Sequence, residues 1–174
     1  MIFTAVKLNA YRVLTPKWAY QPCSGAGAAT AGGRFNRIEQ SAVYLALEPE
    51  TALAEYSQSE PLFGPGTIAC FQIELARVAD FSAGYDPDWD ALWMDWDCAW
   101  KRLAFIDDIE PPTWVMADEV VAGEASGLLF PSTKRPGGTN LVIYPDQLRE
   151  GDSLQVHDPD GALPRSQDSW IPAE

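Results

Sequence analysis

The alternation of apolar and polar residues along the chain predicts several short strands and three helices. Apolar runs bounded by Gly, Pro, Asn or Asp predict strands at 10–14, 43–47, 67–75, 78–81, 128–132, 140–144 and 154–156. Pro49 and Pro111 each begin a helical pattern, and proline is favoured in the first turn of a helix. Helices and strands interleave, and some strands are neighbours along the chain. The pattern therefore predicts a single α+β domain.

Four tryptophans in the middle of the chain are spaced as residues on one face of a helix are. They are spaced by four, three and four residues, at Trp89, Trp93, Trp96 and Trp100. On an α-helix this spacing puts all four on one face, so the segment 86–105 is predicted to be helical. The tryptophan face either packs into the core or forms a protein–protein contact, because tryptophan is enriched at interface anchors. We favour the core and keep the contact as the alternative.

Side chains suited to an anionic substrate are concentrated in the first third of the chain. A Gly- and Ala-rich stretch from Pro22 to Gly33, predicted to be a mobile loop, ends in a Gly–Gly pair and is followed by Arg34. Backbone N–H groups and a guanidinium together can bind an anion. Tyr44 lies in a predicted strand, and Glu55 lies beside the apolar face of a predicted helix. These groups suit a negatively charged substrate held near a site of developing positive charge.

The net charge of the chain limits the classes of partner. Its 12 Lys and Arg against 25 Asp and Glu leave a formal charge of −13. A protein that binds duplex nucleic acid usually presents a basic face, so direct binding of DNA or RNA is disfavoured. An anionic substrate would need local arginines to overcome the repulsion, and a basic protein partner would be attracted. Arg12, in a predicted strand, either faces the solvent or points into a cleft.

The remaining residues exclude several other kinds of site. Cys23, Cys70 and Cys98 have neither the even number nor the CxxC spacing of a disulfide framework or a zinc site, so no metal is predicted. No apolar run reaches the length of a transmembrane helix, and the N-terminus does not have the pattern of a signal peptide. We therefore expect a cytoplasmic protein, not attached to a membrane, and its 174 residues fit a single domain.

Four short blocks of sequence carry a resemblance when they are taken together. The blocks are YRV at 11–13, GRFN at 33–36, VYLA at 43–46 with PETALAE at 49–55, and GLLFPS at 127–132 with GTNLV at 138–142. In order and approximate spacing they resemble the RES-domain family, the toxin component of bacterial Xre–RES toxin–antitoxin pairs. The family is named for an Arg, a Glu and a Ser. Arg12 or Arg34, Glu55 and Ser132 stand at the matching positions.

The resemblance implies a single compact domain like the ADP-ribosyltransferase fold, with mixed sheets and flanking helices. This domain would occupy residues 1–158, and residues 159–174 would form a polar tail. The resemblance also implies NAD as the substrate, no metal, and an Xre-type antitoxin that blocks the active site; a homodimer is a further assembly to consider. The expected catalytic residues are Glu55, Tyr44 and Arg34. The expected NAD-binding residues are Arg12, Arg34, Tyr44, Ser132 and Asn140.

Cleavage of NAD would use these side chains in distinct ways. The arginines would hold the pyrophosphate, and Tyr44 would hold the nicotinamide and its ribose by stacking or by donating a hydrogen bond. Glu55 would stabilise an oxocarbenium-like transition state. Ser132 would orient the nicotinamide amide or its ribose. Water, phosphate or a protein side chain could capture the intermediate. Breakdown of NAD with arrest of growth is ranked first, mono-ADP-ribosylation of a protein second, and a non-catalytic interaction module is the alternative of another class.

Overall fold

Residues 1–58 and 62–167, which the computed structural model describes, fold into a six-stranded mixed sheet with flanking α-helices. The strands are β1 (Phe3–Leu14), β2 (Val43–Ala46), β3 (Thr67–Asp80), β4 (Gly127–Pro131), β5 (Thr139–Ile143) and β6 (Ser153–Val156). The helices are α1 (Ala26–Ala31), α2 (Pro49–Ser57), α3 (Trp100–Phe105) and α4 (Pro112–Ala122), with 3-10 helices at Pro16–Trp18, Ala91–Asp95 and Pro145–Gln147. None of the helices in these ranges is long enough to cross a membrane, since the longest, α4, has 11 residues.

Strand pairing closes the sheet on itself. The order across the sheet is β1-β2-β5-β4-β3-β6, and β1 also pairs with β3 along nearly its whole length. The pairings β1–β2–β5–β4–β3–β1 therefore form a complete circuit, and β6 extends the sheet beside β3. β3 and β4 run parallel, whereas the other described pairs are antiparallel. The predicted α+β class, with a mixed sheet and flanking helices, is confirmed.

The central strands are buried on both faces, so that two cores form. In β4, Leu128 and Phe130 belong to one core, and Leu129 between them belongs to the other. This period of two explains why the strand is a continuous apolar run in the sequence. The first core includes residues of α4, and the second includes residues of β1, β2, β3 and β5. Ser132 and Asn140 are buried polar residues at the end where β4 stops and β5 starts.

The structure corrects several predicted boundaries of the strands. β1 begins at Phe3 rather than at residue 10, because the pairing with β3 continues to that end. The strands predicted at 67–75 and 78–81 are one strand, β3. The register of β3 against β1 shifts between Thr4 and Val6, as it does at a β-bulge. This shift accommodates the residues that separate the two predicted strands.

The stretch from Pro22 to Gly33, which was predicted to be a loop throughout, contains helix α1. Four of the six residues of α1 are alanine, the strongest helix former, and the amide of Ala26 donates to Ser24 Oγ (3.2 Å) at the start of the helix. The glycines act at the other end. Gly32 has a φ of 68°, a conformation that favours glycine and ends the helix.

The tryptophan-rich segment forms a 3-10 helix followed by α3, and the single helix predicted for 86–105 is wrong. Aspartate side chains compete with the helix for backbone N–H groups. The amide of Asp88 donates to Asp86 Oδ1 (2.8 Å). The amide of Leu92 donates to Asp90 Oδ1 (2.9 Å) in the same way. Each of these local turns replaces part of the hydrogen bonding that a continuous α-helix would need.

Three of the four tryptophans nevertheless lie together. The ring centroids of Trp89, Trp93 and Trp96 are 4.8, 4.9 and 5.9 Å from that of Phe81. Trp93 is 1% exposed and Trp89 is 6% exposed, so these two rings are part of the core. Trp100 leaves the cluster and lines a cleft instead. The prediction of one shared face is therefore wrong for Trp100.

We predict that the two ends of the tryptophan segment contribute differently to stability. Trp93→Ala removes a fully buried ring and should lower the free energy of unfolding by about 3–5 kcal/mol. Trp100→Ala removes a half-buried ring at the edge of the cleft and should lower it by about 1 kcal/mol or less. Denaturant unfolding followed by far-UV circular dichroism measures both values. Equal losses would contradict the division of the tryptophans between core and cleft.

Candidate active site

An open cleft of about 950 Å³ gathers most of the residues that the sequence predicted. Its walls come from β1, β2, α2, the segment that follows α1, residues 98–105 and the β4–β5 hairpin. The predicted site residues that line it are Arg12, Arg34, Tyr44, Glu55 and Asn140. Ser132 is 8% exposed and lies behind Glu55, to which it is hydrogen-bonded. The fold therefore brings side chains from all four sequence blocks to one place.

Glu55, on α2, is held by two donors from the β4–β5 hairpin. Its Oε1 accepts hydrogen bonds from Ser132 Oγ (2.7 Å) and from Asn140 Nδ2 (2.6 Å). Ser132 Oγ accepts in turn from the amides of Lys134 (3.1 Å) and Arg135 (3.0 Å), which directs its only proton to the carboxylate. Oε2 of Glu55 makes no hydrogen bond with the described residues. One carboxylate oxygen is thus fixed, and the other is available to a ligand.

The amide of Asn140 is oriented by this contact. A carboxylate only accepts hydrogen bonds, so the amide must present Nδ2 to Glu55. Asn140 Oδ1 is then buried without a hydrogen-bond partner among the described residues. A buried acceptor of this kind is unfavourable and is tolerated mainly at functional sites. Asn140 is therefore placed to hold Glu55, whatever else it contacts.

Arg34 enters the cleft from the turn after α1. Its Nη1 donates to the backbone carbonyls of Trp96 and Cys98, both at 2.9 Å. It forms no salt bridge with any described residue. Burial lowers the pKa of Arg34 below its ordinary value, and the nearby Cys98 and Glu55 offset only part of this effect. Arg34 is therefore a desolvated cation whose remaining N–H groups bond no described residue.

Arg12, on β1, has a similar environment on another wall. Its Nη1 donates to the carbonyls of Pro22 (3.2 Å) and Ser24 (3.1 Å), which fixes the segment that leads into α1. Burial lowers the pKa of Arg12, and the nearby Cys23 has a smaller effect in the opposite direction. Within the described residues Arg12 also has no carboxylate partner. Of the two interpretations that the sequence left open, the structure supports the arginine in the cleft.

Tyr44 shapes the turn that carries Arg34. The Tyr44 hydroxyl accepts a hydrogen bond from the amide of Phe35 (2.9 Å) and donates to Asn36 Oδ1 (2.8 Å). Burial raises the pKa of the Tyr44 phenol, so the hydroxyl stays neutral. Its proton is already used by Asn36, and the ring is the part of Tyr44 that faces the cleft. The structure thus gives the hydroxyl a structural partner where the sequence predicted a donor for the substrate.

Gly33 allows the turn and the tyrosine to approach closely. A Cβ at this position would collide with Asn36 Oδ1 and with the hydroxyl of Tyr44. The amide of Gly33 donates to the carbonyl of Asn36 (3.1 Å), and its own carbonyl accepts from Trp114 Nε1 (2.9 Å). The Gly–Gly pair is therefore required for packing beneath the cleft as well as for the turn.

Sequence reasoning missed the basic residues on the other walls of the cleft. Lys101, Arg102 and Lys134 line it as well, and Arg102 is paired with Asp107 (3.1 Å). The described lining residues thus include five cations and one carboxylate, Glu55. The cleft is locally cationic although the protein is strongly acidic. The sequence signals were two Lys–Arg pairs, Lys101–Arg102 inside a segment whose other charges are aspartates and Lys134–Arg135 between β4 and β5.

Acidic and sulfur side chains show no metal-binding arrangement in the part of the chain that the structure describes. No group of three or more His, Cys, Asp or Glu residues there is placed to hold an ion. The cysteines Cys23, Cys70 and Cys98 are free.

The family model of the RES domain matches residues 9–166, which include every predicted site residue. The chain belongs to the RES-domain family. The match extends past residue 158, where the domain was predicted to end, and Leu163 packs against the second core. That boundary stays a prediction, and residues 168–174 of the predicted tail lie outside the described residues.

One curated protein and one solved structure are similar to this chain. A protein named Toxin Res, from Yersinia enterocolitica serotype O:8 / biotype 1B, is 28% identical over 136 residues, which cover 78% of this RES-domain chain and 82% of that protein. A chain in the crystal structure of the M. tuberculosis MbcT–MbcA toxin–antitoxin complex aligns with a TM-score of 0.62 at 19% identity, over 90% of this chain and 84% of that one. At this level of identity the structural likeness shows a common fold.

We predict that the turn beneath the cleft does not tolerate a side chain at Gly33. Gly33→Ala should lower the free energy of unfolding by about 1–3 kcal/mol, because the new Cβ meets the Tyr44 hydroxyl. Gly27→Ala on α1 is the matched control. A Cβ there meets nothing within 4 Å, and alanine favours a helix by up to about 1 kcal/mol over glycine. Thermal unfolding measures both, and a Gly33→Ala protein as stable as wild type would refute the packing.

Proposed function

We propose that this protein is the toxin of a toxin–antitoxin pair and that it cleaves NAD at the nicotinamide–ribose bond in the cytoplasm. Membership of the RES-domain family, the name of the Yersinia relative and the toxin–antitoxin complex among its structural neighbours support the toxin assignment. The resemblance of the four sequence blocks to the family supports NAD as the substrate. The chemistry of the cleft gives separate support.

The observation that carries the proposal is a pair of half-buried arginines without acidic partners, in the same cleft as a held carboxylate. Among the described residues, Arg12 and Arg34 use only Nη1, for backbone carbonyls. Their Nε and Nη2 groups can still donate, in the planar arrangement that suits a phosphate. A buried cation without a counter-charge is unfavourable. The pyrophosphate of NAD would supply the missing negative charge.

The size and charge of the cleft suit a dinucleotide. Its volume of about 950 Å³ is near the upper end of the range of roughly 300–1,000 Å³ for small-molecule sites. Lys101 and Lys134 are exposed and add positive charge along its walls, which attracts an anion to the cleft. A cationic cleft in an acidic protein is more specific for a compact phosphate ligand than for a nucleic-acid strand, which the outer surface repels.

The reaction follows from the position of Glu55. The bond between the anomeric carbon and the nicotinamide nitrogen breaks, and its electron pair leaves with neutral nicotinamide. Positive charge develops on the ribose, and the carboxylate of Glu55 stabilises it. Phosphate then attacks the anomeric carbon to give ADP-ribosyl phosphate, or water attacks it and loses a proton to give ADP-ribose. We rank phosphorolysis and hydrolysis together ahead of transfer to a protein.

Two roles differ from those that the sequence suggested. Because the proton of Ser132 Oγ goes to Glu55, we assign Ser132, with Asn140, to holding the carboxylate and not to orienting nicotinamide. Because the Tyr44 hydroxyl is used by the turn, we assign its ring to the wall against which the nicotinamide ribose packs. Arg34 interacts electrostatically with Glu55, so we assign it to phosphate binding next to the reacting centre.

Two other functions remain as alternatives. A mono-ADP-ribosyltransferase would form the same intermediate and pass it to a side chain of another protein. A non-catalytic interaction module would keep the fold alone, and the two donors that hold Glu55 argue against it, because a module would not need an oriented carboxylate. The product of the reaction distinguishes the first alternative, and the absence of turnover distinguishes the second.

The proposed partner is an Xre-type antitoxin. Such a protein would carry a basic DNA-binding region, and the net charge of −13 would speed its encounter with this chain. A carboxylate-bearing segment of the antitoxin could enter the cleft and pair with Arg12 or Arg34. A homodimer is a second proposal for assembly, and the buried positions of Trp89 and Trp93 mean that those rings would not form its contact.

We predict that Glu55→Gln nearly abolishes the release of nicotinamide from NAD. The change keeps the size of the side chain but removes the negative charge, and loss of one electrostatic stabiliser lowers a rate by about 10²-fold or more. Glu50→Gln is the matched control, because Glu50 is an exposed glutamate on the same helix that does not line the cleft. Liquid chromatography of the products measures the rate.

The same assay separates the possible acceptors. Dependence of the wild-type rate on added phosphate, with ADP-ribosyl phosphate as product, indicates phosphorolysis, and ADP-ribose indicates hydrolysis. Labelled ADP-ribose on a protein would favour the transferase. No nicotinamide release by folded wild type, or an unchanged rate for Glu55→Gln, would refute the proposed mechanism.

We predict that expression of the wild-type chain alone arrests bacterial growth and lowers cellular NAD. Co-expression of the antitoxin encoded beside it should restore both. The Glu55→Gln protein should be harmless and should still copurify with that antitoxin, since the substitution removes chemistry and not the surface. Unchanged growth and NAD, with the wild-type protein shown to be folded and abundant, would contradict the toxin assignment.

A further inference from the structure

The β4–β5 hairpin is joined to α2 at two points, and Glu55 is only one of them. Thr51 lies four residues before Glu55, which puts both side chains on one face of the helix. Thr51 Oγ1 accepts a hydrogen bond from Nη1 of Arg135, a residue of the hairpin (3.2 Å). Helix and hairpin are therefore held together by two sets of hydrogen bonds, one turn of the helix apart.

Glu48 completes the second attachment. Its Oε2 accepts hydrogen bonds from Thr51 Oγ1 (2.7 Å) and from the amide of Thr139 (3.3 Å), at the start of β5. Arg135 Nη1 lies 3.9 Å from the same oxygen. One oxygen of Glu48, the residue before α2, thus contacts Thr51 in the first turn of α2. It also contacts Arg135 and Thr139, at the two ends of the segment that leads into β5.

Packing between helix and hairpin is close at this point. Thr51 is completely buried, and a Cβ at Gly138 would collide with the Thr51 side chain. The Gly138 amide donates to the carbonyl of Arg135 (3.0 Å), and the Gly138 carbonyl accepts from the amide of Ser132 (2.8 Å). A displacement at Thr51 would therefore be transmitted through this short hairpin to Ser132, which bonds Glu55.

The three residues of this network lie outside the cleft. Glu48, Thr51 and Arg135 are not among the residues that line it, whereas Glu55 is. A substrate in the cleft would have no contact with them. Any effect that they have on the reaction must therefore pass through residues such as Glu55.

We propose that Glu48, Thr51 and Arg135 form a positioning network that holds Glu55 in its catalytic orientation. The inference rests on the proposed cleavage of NAD, and it concerns how the carboxylate is aligned. Misplacement of a reacting group by about 1 Å can lower a rate by on the order of 10²-fold. The phosphate-binding arginines lie on other walls of the cleft, so loss of the network should reduce turnover and leave substrate binding nearly unchanged.

A matched pair of substitutions at Thr51 separates its hydroxyl from its methyl group. Thr51→Val keeps the shape and removes Oγ1, whereas Thr51→Ser keeps Oγ1 and removes the methyl. We expect Thr51→Val to lower kcat for nicotinamide release by about tenfold or more, with KM changed by less than about twofold. Thr51→Ser should retain nearly the wild-type kcat. A role in packing alone would give the opposite order, and that result would overturn the proposal.

A double-mutant cycle tests whether the effect passes through Glu55. In a Glu55→Ala background there is no carboxylate to position, so adding Thr51→Val should lower the residual activity no further. Prolonged incubation with NAD makes that residual rate measurable. The same fold-loss in both backgrounds would show that Thr51 acts on the fold as a whole, and this would refute a positioning role.

Arg135→Ala tests the network independently if Thr51→Val does not fold. The Arg135 side chain is 39% exposed, so its truncation leaves the core intact. We expect kcat to fall by about threefold or more with KM unchanged, and Glu74→Gln, in an exposed ion pair with Lys7, to match wild type. Wild-type kcat in Arg135→Ala would overturn the network. Failure of wild type to release nicotinamide would instead refute the proposed function itself.

Discussion

The hydrogen bonds to one oxygen of Glu55 are the interaction on which the cleft depends. Ser132 and Asn140 reach that oxygen from the two ends of one hairpin, at 2.7 and 2.6 Å. Hydrogen bonds to a charged group are roughly twice as strong as neutral ones, and two of them fix the plane of the carboxylate. The strand circuit, the hairpin and α2 together act as a rigid frame for a single negative charge. Preorganisation of this kind is what electrostatic catalysis requires.

The cleft also solves an electrostatic problem. A protein with a net charge of −13 repels anions at long range, so an anionic ligand can be held only where cations are concentrated and water is reduced. Arg12 and Arg34 suit the proposed phosphate ligand because backbone carbonyls bind each of them and no carboxylate among the described residues pairs with either. A salt bridge at either position would have neutralised the attraction for a phosphate.

The irregular backbone of the tryptophan segment contributes directly to this arrangement. A continuous helix through 86–105 would use its carbonyls internally. Because the helix is interrupted, the carbonyls of Trp96 and Cys98 accept from Arg34, and that of Cys98 also accepts from the amide of Trp100 (2.8 Å). Trp93 anchors the same segment in the core, which fixes the segment as a wall of the cleft. The feature that local rules failed to predict is therefore one that positions the site.

Short-range patterns were sufficient to predict the strands at 43–47 and 140–144 and the helix after Pro49, because alternation, capping and turn residues act between near neighbours. They were also sufficient to recognise the blocks that contain Arg12, Arg34, Tyr44 and Glu55. They could not reveal which partner each side chain takes. Ser132 and Asn140 lie 77 and 85 positions from Glu55, and their meeting depends on strand order and on closure of the sheet. The same long-range packing placed Lys101 and Lys134 on the cleft, used the Tyr44 hydroxyl in a turn and separated Trp100 from the core. Residue types thus indicated the chemistry, and the tertiary structure decided which groups are free to perform it.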